Sequence, residues 1–600
     1  MDALAAARES LHAGRLMEAV DEARELLAAE PGNAEALYLE ALALSRLGAR
    51  TVAAEILRGL LAREDMAIAL RADALALHGR LLKDRAAEAG TNLASLAAEA
   101  GALYEEALRL APSAFFAVNA ATLRCLAGER DRGEALAREA LRLAAAGADH
   151  DHWRAATQGE CFVLLGDADA ARRRYREAHA RAAHRRGDVA SMRRQLRLLA
   201  RAIPNAADML AELPVPKVVA FTGHMLDAAR RAPSRFPPAA EPAVAAALES
   251  WLDATGEVIG YSQAACGGDI LFLEALQRRG HENHVTLPCA KQDYVEQSVA
   301  FAGPAWVARF DRALAAATSV GYATAEAYLG DEILFEHASR FIDGRALVRA
   351  RELEGEALML ALLDAAASGA SGGALHTLEE WRRAGHDAHL LDLSALRRGL
   401  PADGPSPRAA AAVAPARRLG RRICGIAFCD VRGYSRVTEE YSPRFQERFL
   451  GLARAVIDKL GDQFLTAQTA GDGIYATFAS VPALAEFCLA LRERVGRIDW
   501  TDFGMPRDTN VRVAAHCGPA FPIDDPVTRQ PNFCGTHVSR TARIEPVVTP
   551  GEVFATEVVA AYLALQAPRD YRCDYLGVLP LAKGFGAAPL YRLRRAGDDA

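Results

Sequence analysis

Two aspartates in the last third of the chain have the setting of residues that grip a metal-bound triphosphate. Asp430 ends the apolar run Ile423-Cys424-Gly425-Ile426-Ala427-Phe428-Cys429, a pattern that predicts a buried strand, and leads into Val431-Arg432-Gly433-Tyr434-Ser435. Asp472 sits in the tight-turn sequence Ala470-Gly471-Asp472-Gly473, between strand-like runs at 463–469 and 474–478. Taken singly, an Asp at a strand end caps or solvates a turn, and Gly-Asp-Gly is a common hairpin signal. Together, two carboxylates at neighbouring strand ends can share hard cations such as Mg²⁺, which prefer oxygen ligands and keep positions open for phosphate. Two such ions stabilise both the attacking and the leaving oxygen of a phosphoryl displacement.

The elements that must hold these groups follow in order. A helix-length segment at 442–460 opens on Ser442-Pro443, which reads as an N-cap and a first-turn proline. A second helix is expected at 481–494, then a strand at 511–519 ending His516-Cys517-Gly518-Pro519. Next come Gly535-Thr536-His537-Val538-Ser539-Arg540-Thr541-Ala542-Arg543-Ile544, a strand at 552–556, the turn Leu581-Ala582-Lys583-Gly584-Phe585-Gly586 and a last strand at 589–593.

This string, over about 421–600, resembles the catalytic domain of class III nucleotide cyclases, the adenylate/guanylate cyclase family. The family pattern has a strand ending in Asp, then Gly-Asp-Gly, His-x-Gly-Pro, Gly-x-x-Val-Asn-x-x-x-Arg and Lys-Gly, and all five islands occur here in that order. The resemblance implies an α+β, ferredoxin-like fold. It makes Asp430, Asp472 and the Val431 carbonyl ligands of two Mg²⁺ or Mn²⁺ ions, and Arg543 the group that stabilises charge on the α-phosphate. Lys583 falls where the family often reaches the triphosphate. The reaction implied is attack of the ribose 3′-oxygen on the α-phosphorus of a nucleoside triphosphate, ATP by family, with pyrophosphate leaving.

Three positions depart from the pattern. Ser539 stands where an asparagine orients the ribose, Gln468 where a lysine commonly reads the base, and Asn532 where Asp or Thr does. Gln and Asn each carry a donor and an acceptor, so the base is left open. The alternative reading is a cyclase-like domain that binds nucleotide as a regulator without turnover. Because the family places each active site between two such domains and one copy is present, the chain is expected to form a homodimer with two symmetric sites, or to pair with an outside partner.

Upstream, residues 1–205 read as successive Ala-, Leu- and Arg-rich helices. Glu106-Ala107-Leu108-Arg109-Leu110-Ala111 recurs as Glu139-Ala140-Leu141-Arg142-Leu143-Ala144, a shift of 139 − 106 = 33 residues. That spacing resembles tetratricopeptide repeats, whose stacked helix pairs form a concave docking surface for a protein or peptide. The stretch 64–101 fits the period poorly and reads as an insertion. An interaction scaffold carried by these repeats is a further reading of the chain, and a passive spacer is the bland one.

Residues 216–395 alternate strand and helix, which predicts a mostly parallel, Rossmann-like sheet with helices on both faces. Thr222-Gly223-His224 and Cys266-Gly267-Gly268-Asp269 fall at C-terminal strand ends, where such sheets bind ligands. The first turn resembles that of the SLOG superfamily, which implies a nucleotide-like ligand sensed by Thr222, Gly223, His224, Gly267, Gly268 and Asp269. The bland reading is two tight turns that need glycine. Residues 396–420 read as a Pro/Ala/Arg-rich linker.

Composition sets the outer bounds. At 51% hydrophobic and 25% charged, the 600 residues can bury several cores, and a net charge of −6 gives no nucleic-acid footprint. Ten cysteines without Cys-x-x-Cys spacing, no signal-peptide pattern and no long apolar run predict a cytoplasmic chain without a membrane span.

Overall fold

The computed structural model describes residues 3–597 except 14, 48, 90–91, 147–150, 183, 229–233, 365–372, 401–419, 435–436 and 506–508. Most of the expected linker and Ser435 therefore lie outside the described residues.

The N-terminal part is helical from Ala3–Ala13 to Arg186–Leu199, with successive helices paired antiparallel. Small residues set how closely the pairs approach. A Cβ on Gly133 would lie 2.8 Å from the Ala121 carbonyl, and one on Gly159 3.0 Å from the Tyr175 ring. Side chains at Ser113, Asp151 and Asp167 accept first-turn N–H groups and fix where three of these helices begin. The recurring Glu-Ala-Leu-Arg-Leu-Ala phrases fall in helices Leu93–Leu110 and Arg130–Ala146. Residues 64–101 are not an insertion outside the stack. They supply the 22-residue helix Ile68–Ala89, packed against Leu93–Leu110, and it is the extra length of that helix that breaks the sequence period.

Next comes a six-stranded sheet of β1 (Lys217–Gly223), β2 (Val258–Ser262), β3 (Asn283–Leu287), β4 (Ser319–Tyr322), β5 (Ala357–Leu363) and β6 (Ala388–Asp392). All pairings are parallel, in the order β4-β3-β2-β1-β5-β6. Helices cover both faces, so the central strands are continuously apolar instead of alternating. Val219, Phe221, Leu360 and Leu362 enter one core, and Val218, Ala220, Met359 and Ala361 the other.

The C-terminal part holds β7 (Arg422–Val431), β8 (Phe464–Ala470), β9 (Gly473–Phe478), β10 (Val511–Asp524), β11 (Pro531–Cys534), β12 (Val553–Thr556), β13 (Tyr571–Pro580) and β14 (Ala587–Arg595). They form a mixed sheet ordered β13-β14-β12-β10-β7-β9-β8, with β11 paired to β10. Helices Ser442–Leu460 and Val481–Gly496 bury Phe445, Phe449, Leu484 and Phe487 in its largest core. Tyr441, not Ser442, is the N-cap of the first of these helices; Ser442 and Pro443 occupy its first turn.

The three parts are in contact. Helix Ile333–Glu352 lies against helix Glu557–Gln566, where the Tyr562 hydroxyl meets His337 Nδ1 at 2.8 Å. At the edge of the mixed sheet, the Tyr575 hydroxyl and the Val578 N–H donate to the two Asp21 oxygens at 2.8 and 3.1 Å. Among the described residues, no helix is long and apolar enough to cross a membrane.

Candidate functional site

The carboxylate pair is assembled by strand pairing. β7 lies between β9 and β10, and the two-residue turn at Gly471-Asp472, with Gly471 at φ +62°, returns β8 into β9 beside the end of β7. The Val431 N–H donates to Asp472 Oδ2 at 3.1 Å, which fixes the turn carboxylate against the residue after Asp430. The Tyr434 ring lies 3.4 Å from where a Gly471 Cβ would sit, and the positive φ there is what favours glycine. Its hydroxyl is held by Gln446 Nε2 at 2.8 Å. Burial, followed by the charge and hydrogen bonding of Asp430, pushes the Asp472 carboxyl up to about 6.

Two residues not singled out in the sequence complete the cluster. In the β7–β10 register Arg512 lies directly across from Asp430; its Nη2 pairs with Asp430 and lies 2.9 Å from Glu545 Oε1. Burial pushes Glu545 up to about 7 against the pull of Arg512, and the charges of Asp430 and Asp472 push the same way. Asp430 and Glu545 thus share one guanidinium, with Asp472 beside Asp430. A lone arginine in the apolar run Val511-Arg512-Val513 was a readable signal of something charged opposite, whereas nothing local distinguishes Glu545.

The donors fit a hard cation. They are oxygen only, and mutual repulsion between Asp430 and Asp472 is what a cation relieves. Asp430, Asp472 and the Val431 carbonyl are the groups that could hold one. No group of three or more His, Cys, Asp or Glu side chains converges on a metal position among the described residues.

The remaining expected residues fall in two places. Gln468 Nε2 reaches Asp525 Oδ2 at 3.5 Å, in the turn between β10 and β11, and Asn532 is on β11. The Thr466 hydroxyl donates to the Pro531 carbonyl at 2.7 Å, so β8 and β11 are side by side and Gln468 and Asn532 share one end of the sheet. Asp525 is a neighbour the sequence did not announce. Ser539 is exposed and Arg543 half-buried on helix Thr536–Ile544, and exposed Lys583 lies at φ +59° in the turn between β13 and β14. Arg543 and Lys583 make no hydrogen bond or ion pair with any described residue. Neither they nor Ser539 bond to the carboxylates.

In the parallel sheet the two glycine turns do meet. The Gly268 N–H donates to the His224 carbonyl at 3.1 Å, and a Cβ on Gly268 would come within 3.3 Å of the Gly223 Cα. Helix Gly268–Arg278 starts there, at the C-terminal end of β1, and Thr222 lies on that strand end. Asp269 is buried in its first turn and accepts from the Ala265 N–H at 3.1 Å; burial pushes its carboxyl up to about 7.

A family model described as Tetratricopeptide Repeats-Sensor matches residues 15–124. No curated protein matches the chain. Solved structures similar to part of it include the adenylyl cyclase CyaB from P. aeruginosa, at 16% identity and TM-score 0.26, covering 30% of this chain and 96% of that one. An adenylate cyclase structure from Trypanosoma brucei matches at 19% identity and TM-score 0.26, covering 30% and 91%. The guanylate cyclase domain of RhGC from Catenaria anguillulae, in complex with GTP, matches at 16% identity and TM-score 0.24, covering 29% and 97%. These identities and scores assign the chain to none of them.

Proposed function

We propose that residues 421–600 form a class III nucleotide cyclase domain that converts a nucleoside triphosphate to a 3′,5′-cyclic nucleotide and pyrophosphate. The observation that carries the reading is the carboxylate pair Asp430/Asp472, brought together at the end of β7, where Asp472 accepts from the Val431 N–H and is repelled by Asp430. Two Mg²⁺ or Mn²⁺ ions bound by Asp430, Asp472 and the Val431 carbonyl would supply charge stabilisation at the phosphate. The bond from the ribose 3′-oxygen to the α-phosphorus forms as the bond to pyrophosphate breaks, and the hydroxyl proton leaves to solvent. Arg543, permanently charged and without a hydrogen bond or ion pair to any described residue, stabilises the α-phosphate. Ser539 offers one hydrogen bond to the ribose, Gln468 and Asn532 face the base, and Lys583 reaches the triphosphate.

In the same reading, residues 1–205 are a repeat domain that docks a protein or peptide, and 216–395 a Rossmann-like sensor for a nucleotide-like ligand. Residues 396–420 link them to a cytoplasmic, dimeric cyclase.

The test is incubation of the full chain with ATP, GTP, CTP or UTP and Mn²⁺, measuring cyclic nucleotide and pyrophosphate. At least one triphosphate is expected to react, and Asp472→Asn is expected to lower the rate on the order of a hundredfold, the scale of losing one electrostatic stabiliser. Binding without cyclic product from any of the four overturns turnover. It would leave the second reading, a nucleotide-binding regulator, which Ser539, Gln468 and Asn532 favour.

A further inference from the structure

A cavity of about 740 Å³ lies where the helical part, helix Ile333–Glu352 and the mixed sheet meet, and it shares no lining residue with the Asp430/Asp472 cluster. Its volume is that of a small-molecule site. Its charge is lopsided. Ten arginine and lysine side chains line it against five carboxylates, and the carboxylates are largely spoken for. Glu354 takes Arg194 at 2.8 Å and also Arg197, Glu352 takes Arg349 at 3.2 Å, and Asp574 takes Arg594 at 2.7 Å. Glu160 is held by Gln195 at 2.7 Å and by the Thr122 hydroxyl.

Cations are left facing the space. Among the described residues Arg46 reaches only the Leu11 carbonyl at 3.2 Å and Asp188 at 3.7 Å, and its buried Nε has no hydrogen-bond partner there. The Arg351 guanidinium makes no hydrogen bond or ion pair with any described residue, although Arg572 is close by. Burial lowers Arg46 to about 10 against the pull of Asp188, and the nearby charges of Arg80 and Arg194 add to the lowering. Asp188 near Arg46 and Glu352 near Arg351 offset their charge only in part, and buried guanidinium groups with incomplete pairing are costly, a cost that an anion entering the cavity reduces. The walls also present aromatic faces, from Tyr38, Tyr104, Trp153 and Tyr175 on the helices and Tyr571 on β13. Rings and guanidinium groups together suit a planar base carrying phosphate.

We propose that this cavity binds a phosphorylated nucleoside, separately from the triphosphate site, with Arg46 and Arg351 on its phosphates. Its three walls come from the three parts of the chain, so the bound nucleotide fastens them to one another. The proposal does not depend on the cyclase reading.

Calorimetric titration of the full chain in EDTA, which disfavours metal-dependent binding at the carboxylate pair, tests it with ATP, GTP, pyrophosphate and adenosine. One nucleotide per chain is expected to bind and raise the melting temperature, with pyrophosphate and adenosine each at least tenfold weaker. Arg351→Gln and Arg46→Gln should each weaken nucleotide at least tenfold, and Asp472→Asn should leave it unchanged. Should Arg46→Gln fail to fold, Arg351→Gln decides alone, because that side chain makes no hydrogen bond or ion pair with any described residue. No binding by any of the four ligands overturns the proposal, as does wild-type affinity in Arg351→Gln or loss of binding in Asp472→Asn. Pyrophosphate or adenosine binding as tightly as ATP overturns the nucleotide assignment.

Discussion

Three imidazoles are buried where the parallel-sheet and mixed-sheet parts join. His516 Nε2 and His537 Nδ1 are 2.8 Å apart, His537 faces Glu326 at 3.7 Å, and the His337 and His537 rings are 5.8 Å apart. Burial and then the charge of Arg340 lower His337 to about 3, and burial and neighbouring charges hold the other two well below the ordinary value. The unfolded chain therefore takes up protons near pH 6.5 that the folded chain refuses, so stability is full above that pH and falls as the pH drops. Each such histidine adds a slope of about 1.4 kcal/mol per pH unit below its unfolded pKa. His337→Gln keeps an acceptor for the Tyr562 hydroxyl but does not titrate. Unfolding in urea from pH 8 to 5 should show a shallower acid loss in the variant, and identical slopes would refute the assignment. At this scale the sequence was legible where chemistry is local. Asp430 and Asp472 stood out because a strand end and a tight turn display themselves in a few residues. Arg512 and Glu545 did not, because what brings Arg512 to Asp430 is a strand register spanning 82 residues.

Between elements, the tightest joint is the crossing of helices Ile333–Glu352 and Glu557–Gln566. A Cβ on Gly344 would fall 2.1 Å from the Ala561 carbonyl, so the two backbones touch with no side chain between them. Arg345 closes the same joint through Glu557 at 3.1 Å. Gly344→Val should force the helices apart and cost about 1–3 kcal/mol, the range for overpacking a close contact. Thermal unfolding would read it, and an unchanged melting temperature would show that the helices do not pack this way in solution. The alternation of apolar runs with helical segments was enough to foresee the parallel sheet, since strands buried on both faces read as continuous Val, Ala and Leu. The Gly344 contact was invisible, because a glycine inside a helix carries no mark of what will lie against it.

Across the whole molecule, the helical part meets the mixed sheet at its β13 edge, while Gln468 and Asn532 lie at its β8–β11 end. Covering β13 removes one edge from strand pairing with other chains. Arg543 and Lys583 have no hydrogen-bond or ion-pair partner among the described residues, as expected of groups meant for a substrate shared with a second copy. If each site takes Asp430 and Asp472 from one copy and Arg543 from the other, Asp430→Ala and Arg543→Ala are each inactive alone, but complement when mixed. Random pairing of equal amounts puts half the dimers in the mixed form with one intact site of two, so activity should return to about a quarter of wild type. The measurement is cyclic nucleotide formed by the variants separately and after co-expression. Activity no greater than the sum of the two variants would refute a site shared between copies.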